Sequence, residues 1–241
     1  MSSDALTSGA HSGSSSVIAG IIDYLNERRL QPGDRLPSER DLAERLNAGR
    51  NAVREALATL VTLRMVESRP NSGIYLRHLE RDSSFEALVM LAEIGGTPSP
   101  TELAETMEVR AHLEALAVRL ACERRTDEDL DRLADVLRRT EQVLAESGNI
   151  AQVDTEFHLL LVNATHNTIL VRVLNAFYRF TAKRRELLFA DHAQGLASAR
   201  EHRKLLEHIR SRDAARAEAL ILKHMTRARN YWNSRWAQPG D

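Results

Sequence analysis

In the stretch VDTEFHLLLV, positions 153–162, Asp154 and His158 stand four residues apart among apolar side chains. On a helix that spacing brings a carboxylate and an imidazole onto one face. Two further histidines fall on separate predicted helices, His202 in EHRKLLEHI and His224 in ILKHMT. Three imidazoles and one carboxylate form a donor set for a borderline divalent ion, with zinc foremost and nickel, cobalt or manganese as alternatives. Spacing alone does not separate such a site from histidines satisfied by hydrogen bonds in a core. A second chemistry lies upstream. Between positions 35 and 77 eight arginines face five acids, although the whole chain carries a formal net charge of only −1. The total excludes a uniformly basic coat for nucleic acid, but not a local one. Arg50 and Arg54 stand one turn apart at the start of a predicted helix. Both guanidinium forks could enter a major groove and pair with guanine O6 and N7 or with phosphate.

Positioning these groups requires helices, and the composition supplies them. The chain has 241 residues, 43% of them hydrophobic, with only 11 Gly and 6 Pro. Few apolar positions alternate with period two, so a mainly α protein with minor sheet is expected, long enough for two domains. Cys122 is the lone cysteine, which excludes an internal disulfide. The N-terminus lacks a secretory pattern and no stretch approaches a membrane span, so a cytoplasmic protein with no membrane partner is expected.

Residues 1–16, MSSDALTSGAHSGSSS, read as a disordered tail. A first helix follows with Val17, Ile18, Ile21, Ile22 and Leu25 on one face, stopped by Pro32-Gly33. Ser38 caps a short second helix with Asp41 three residues on; Leu42 and Leu46 face inward, and the helix ends near Asn47. A third runs from about Arg50, with Val53, Leu57, Leu60 and Val61 inward and Leu63 near the end of that face. MVESRPNSGIYLRH then alternates around a turn, the pattern of a small β-hairpin. This order, over residues 17–78, spells a winged helix-turn-helix. Residues 79–84 form a polar linker. From 85 to 236 every segment reads as helical, with breaks at Gly95-Gly96 to Pro100, Thr126-Asp127, Ser147-Gly148-Asn149, His166-Asn167, near Gly195 and near Asp213. The breaks leave about seven helices, suited to an all-helical antiparallel bundle, and residues 237–241 form a short tail.

The string PGDRLPSERDLAERLNAGRNAVREALATL closely resembles the DNA-binding segment of GntR-family transcription regulators. The helical remainder resembles the FCD ligand domain of the FadR-type subfamily, through DTEFHLLLVNATHN, EHRKLLEHI and LKHM. The resemblance implies DNA contact by Arg40 in the second helix and by Arg50 and Arg54 in the third, with Asn51 reading a base or binding a phosphate. Gly73, placed at the wing tip, would let the backbone approach the minor groove. Two positions depart from the pattern: Gly49 replaces the common capping serine, and Ala52 stands where Pro or Thr is frequent.

By the same resemblance Asp154, His158, His202 and His224 match all four metal-ligand positions of the FCD pattern, whereas His11, His78, His112, His166, His192 and His208 do not. Arg110 matches an arginine that faces the cavity and pairs with a carboxylate effector; a surface salt bridge to Glu114 or Glu105 is its other reading. Asn167 reads as a helix N-cap. The implied protein is a homodimeric, ligand-responsive regulator of double-stranded operator DNA, a repressor, released by a small carboxylate that binds the metal and Arg110. One rival is a metal-dependent enzyme acting on a small organic acid, which lacks a base because Glu156 should point about 200° from Asp154. Another is a regulator whose metal is purely structural.

Overall fold

The first helix, α1 (Ala5–Glu27), buries Val17, Ile18, Ile21 and Leu25. The structure, a computed structural model, describes residues 5–236, with side chains from 15 to 232. Residues 1–4 and the tail expected at 237–241 lie outside the described residues. α1 therefore begins inside the segment expected to be a tail; no proline interrupts residues 5–16, so a helix nucleated on the apolar stripe can propagate upstream. It also ends before Pro32-Gly33. Arg29 takes the left-handed turn at φ 52°, and the Leu30 N–H closes on the Leu25 carbonyl.

Ser38 caps α2 (Glu39–Arg45) reciprocally: its Oγ accepts from the Asp41 N–H at 3.2 Å, and Asp41 Oδ2 accepts from the Ser38 N–H at 3.3 Å. In α3 (Arg50–Thr62) the buried stripe is Val53, Ala56, Leu57 and Leu60. Val61, expected inward, is exposed at 37%, on the edge of that stripe. The antiparallel strands β1 (Val66–Arg69) and β2 (Gly73–Leu76) pair in register from Val66 opposite Leu76 to Arg69 opposite Gly73. The turn is thus Pro70, Asn71 and Ser72, and Gly73 opens β2 rather than tipping the wing.

Two short helices, α4 (Leu79–Asp82) and α5 (Phe85–Glu93), complete the first unit. Ala87 is buried with the winged-helix core, and Leu79, Met90, Leu91 and Ile94 pack against it. The chain divides into compact units between Thr97 and Pro98, later than the polar joint at 79–84. Polar residues there build a capped turn inside the unit, and the Gly95-Gly96 break is what ends it, with Gly95 at φ 96°.

The second unit holds seven helices among the described residues: α6 (Pro100–Arg124), α7 (Asp127–Ala145), α8 (Ala151–Asn163), α9 (Thr168–Phe180), α10 (Ala182–Leu188), α11 (His192–Arg210) and α12 (Ala214–Trp236). Capping boxes start α6 (Ser99 with Glu102) and α7 (Thr126 with Asp129), and Asn167 caps α9 by accepting from the Ile169 and Leu170 amides, both at 3.1 Å. The break expected near Gly195 falls earlier, at Asp191, which caps α11. Gly195 is inside that helix, where a Cβ would stand 3.0 Å from Leu144, so its small size answers a packing need. α6 runs through the unit and packs on α8, α9, α11 and α12. Val118, Leu133, Phe157, Leu161, Leu174 and Ile209 form its core, each contributing about 1.5–3 kcal/mol of apolar burial.

Candidate functional site

α8 presents Asp154 and His158 one turn apart, α11 brings His202 and α12 brings His224. All four side chains are buried, and one donor atom from each lies within 4.8 Å of the other three. The imidazoles surround a common point: ring centroids are 4.8 Å apart for His158 and His202, 4.9 Å for His202 and His224, and 5.3 Å for His158 and His224. Phe157 stacks flat on His202 at 4.1 Å and walls off one side.

Neighbouring groups orient the donors. Glu201 Oε2 accepts from His224 Nδ1 at 2.7 Å, and Arg227 Nη2 donates to the same oxygen at 2.9 Å. His158 Nδ1 faces Glu114 Oε2 at 3.4 Å, and neither buried atom has a well-formed hydrogen bond elsewhere. With Nδ1 against a carboxylate, Nε2 is the nitrogen left for a cation in both rings, a tautomer assigned from the partners. His202 turns its Nε2 toward Asp154 Oδ1, 3.7 Å away. Ser198, one turn earlier on α11, donates to that oxygen at 2.9 Å, while Arg185 Nε lies 3.4 Å from Asp154 Oδ2.

At His202 and His224 the electrostatics suit neutral, ligating imidazoles. Burial, then the His158 and His224 rings, holds His202 well below the ordinary histidine value. Burial also lowers His224, against an opposing pull from Glu201. For Glu114 burial acts upward, but His158, Arg110 and Tyr178 outweigh it and keep the carboxyl ionised, far below its usual range. Tyr178, pushed well above the ordinary phenol value by burial and Glu114, remains a donor and bonds Glu114 Oε1.

Donors about 2.1 Å from one tetrahedral zinc ion stand about 3.4 Å apart. The four atoms, within 4.8 Å of one another, would draw together around an ion, and three nitrogens with one carboxylate oxygen suit zinc, nickel or cobalt.

Arg110 is buried, not on the surface, and its Nε and Nη2 reach Glu114 Oε1 at 3.3 and 3.2 Å. Its guanidinium lies 4.4 Å over the Tyr178 ring, and that of Arg185 lies 4.8 Å from the same ring. Both arginines line a small cavity of about 40 Å³ with Arg184, Thr181, Met107 and Trp232. None of the four metal-capable residues lines it; Arg185 joins the two, through Asp154.

In the first unit Arg50 and Asn51 open α3 and are exposed, with Arg54 one turn on. Arg54 Nε lies 3.3 Å from Glu39 Oε2, and Arg40 Nε lies 3.0 Å from Glu44. Such exposed pairs contribute about 0–1 kcal/mol and can yield to a phosphate. Gly49 sits at the N-cap with no side-chain bond. Gly73 has φ 122°, and a Cβ there would meet Arg35 Nε at 2.7 Å.

Sequence reasoning missed Glu201, Arg185, Ser198 and Tyr178, whose roles depend on helix packing. Glu114 had a local signal, four residues after Arg110, but its burial did not show. Glu156 is directed away from the site, into an ion pair with Arg139 at 2.8 Å.

The FCD domain family matches residues 105–227, and the bacterial gntR regulatory protein family matches residues 14–76. The chain is 31% identical to the HTH-type transcriptional regulator LutR of Bacillus subtilis, over 82% of this chain and 90% of LutR. It is 29% identical to the HTH-type transcriptional repressor NanR of Cronobacter sakazakii, over 89% of this chain and 83% of NanR. The solved structure of Lar of Listeria monocytogenes shares the fold, with a TM-score of 0.63 at 17% identity over 88% of this chain and 93% of Lar. No described helix is long and apolar enough to cross a membrane. Winged helix-turn-helix, seven-helix second unit and relatives agree: the chain belongs to the GntR family of DNA-binding transcription regulators, in its FCD-containing branch, and is not an enzyme.

Proposed function

We propose that the protein is a cytoplasmic, homodimeric repressor that holds a divalent metal ion in its helical unit and leaves its operator when a small carboxylic acid binds there. The observation that carries this reading is the convergence of four buried donors within 4.8 Å, joined through Arg185 to an arginine-lined cavity. That its relative NanR is named a repressor supports the direction of the response.

Asp154, His158, His202 and His224 would hold the ion, zinc foremost, and Glu114 and Glu201 would fix the ring nitrogens. When bound, the ion supplies a positive centre that can attract an acid's oxygen. Arg110, whose Nε and Nη2 serve Glu114 and which lines the cavity, would take the effector carboxylate. In the DNA-binding unit Arg50, Asn51 and Arg54 would enter the major groove, Arg40 would reach a phosphate, and Gly73 would keep the wing backbone close to the minor groove. An acid that prefers the DNA-free arrangement of the dimer shifts the equilibrium by its differential affinity.

The test is operator binding measured by fluorescence anisotropy during acid titration, with and without a chelator, in the wild type and in a His202→Ala/His224→Ala variant. Loss of bound metal together with loss of the acid response is expected. Full metal occupancy in the variant would refute the site, and an unaltered acid response without metal would assign the ion a structural role.

A further inference from the structure

Glu114 is fully buried on α6, and its two carboxylate oxygens are unequally served. Oε1 accepts from Arg110 Nε at 3.3 Å, from Arg110 Nη2 at 3.2 Å and from the Tyr178 hydroxyl. Oε2 accepts from no group among the described residues and faces His158 Nδ1 at 3.4 Å, a nitrogen that is itself buried and unbonded. Three donors thus crowd one oxygen, while the other stands bare against a ring able to serve it.

A buried donor and acceptor left apart carry their desolvation cost with no return, so closing this gap is favourable. It is only about 0.5 Å wider than an ordinary N–H···O bond. An ion on His158 Nε2 would close it, by fixing the proton on Nδ1 and polarising that N–H into a stronger donor. The carboxylate has one negative charge to share among its donors. Each donor gained at Oε2 therefore weakens the hold on those at Oε1, and each donor lost at Oε1 strengthens the pull on His158. The groups involved stand on three helices: Arg110 and Glu114 on α6, His158 on α8 and Tyr178 on α9.

We infer that Glu114 is a positioning residue that couples the metal site to Arg110 and Tyr178: an ion on His158 draws the carboxylate toward the ring and loosens both donors, and loosening either donor tightens the ion. The coupling is reciprocal, as linkage requires. The inference rests on the proposed reading of Asp154, His158, His202 and His224 as metal ligands.

Tyr178→Phe removes one donor from Oε1 while keeping the ring and every charge. Zinc affinity of the full-length protein, measured by competition with a calibrated chelator, should rise about threefold to tenfold, the range of one neutral hydrogen bond. In a Glu114→Gln background the same substitution should leave zinc affinity unchanged, so that the double-mutant cycle isolates the route through the carboxylate. NMR of the wild type gives a second reading that needs no variant: zinc should speed hydrogen exchange at Arg110 Nε–H, which a carboxylate that only packs would not allow. Zinc affinity that is unchanged or lower in Tyr178→Phe overturns the coupling, as does a gain that persists with Glu114→Gln or an Arg110 Nε–H that exchanges at one rate with and without zinc. All three leave the metal reading intact. A wild-type protein that binds no zinc refutes that reading and the inference with it.

Discussion

Glu201 and His224 come from different helices and meet at 2.7 Å, Oε2 to Nδ1, with Arg227 securing the carboxylate from the other side. Burial raises the Glu201 carboxyl, but His224 and Arg227 outweigh it and hold it at about 2, so it is an anion at every working pH. A carboxylate in this position fixes the ring tautomer and makes the opposite nitrogen a better donor. Glu201→Gln keeps the shape and removes the charge. Metal affinity should fall about 10–100-fold, read by competition with a calibrated chelator, while the melting temperature of the metal-free protein changes little. Equal metal affinity in the two proteins would show that the pair only packs.

The start of α3 carries the DNA-reading groups, and the two arginines there are free to differ. Arg54 already has Glu39 at 3.3 Å, whereas Arg50 has no acidic partner among the described residues. Arg50→Ala and Arg54→Ala should each weaken operator binding by about 1–3 kcal/mol, as expected for loss of a bidentate base contact. Thermal melting should be unchanged, since both side chains are exposed. Affinity should also fall steeply with salt; a flat salt dependence in gel-shift assays would be at odds with this docking mode.

Two glycines of the DNA-binding unit should respond in opposite directions. Gly49 has ordinary N-cap backbone angles, φ −66° and ψ 142°, and open space around a Cβ. Gly49→Ser should therefore add a cap bond to α3 and stabilise the unit by a few tenths of a kcal/mol, roughly the Ser-over-Gly difference at N-caps. Gly73→Ala meets both a positive φ of 122° and the Arg35 guanidinium at 2.7 Å, and should cost about 1–3 kcal/mol. Urea denaturation of the two variants decides both signs.

The DNA-binding unit was readable because its signals are local. Ser38 and Asp41 cap each other across three residues, and the Pro70-Asn71-Ser72 turn lies between alternating strands. The metal-capable quartet was only half readable that way. Asp154 and His158 share a helix face, but His202 and His224 reach them through α11 and α12, and family likeness rather than spacing joined the four. Arg185 and Glu201 lie next to or near recognisable residues, yet their partners are 31 and 23 positions away (185 minus 154, 224 minus 201), so no window on one helix could reveal them. The compact units divide after Thr97 rather than at the polar joint for a related reason. Residues 81–84 are polar, but α5 beyond them returns an apolar face to the first core.

Acid stability should depend on the junction between α6 and α7. Asp129 Oδ2 accepts from the Thr126 amide at 2.9 Å, the Thr126 hydroxyl at 2.9 Å and His166 Nε2 at 3.0 Å. Burial pushes the Asp129 carboxyl up, but the Thr126 bonds and His166 pull it further down, so its folded value lies below the ordinary one. A depressed folded value favours the folded state while the group is ionised. That stabilisation is complete above the unfolded value near 3.8 and is lost as pH falls through the folded value. Asp129→Asn, which keeps a weaker cap, should cost about 1 kcal/mol at pH 6, and the gap to the wild type should narrow as the pH falls below 3.8. Denaturation midpoints of both proteins across that range give the comparison. A gap that stays constant would place the cost of the substitution in packing rather than in the carboxylate's charge.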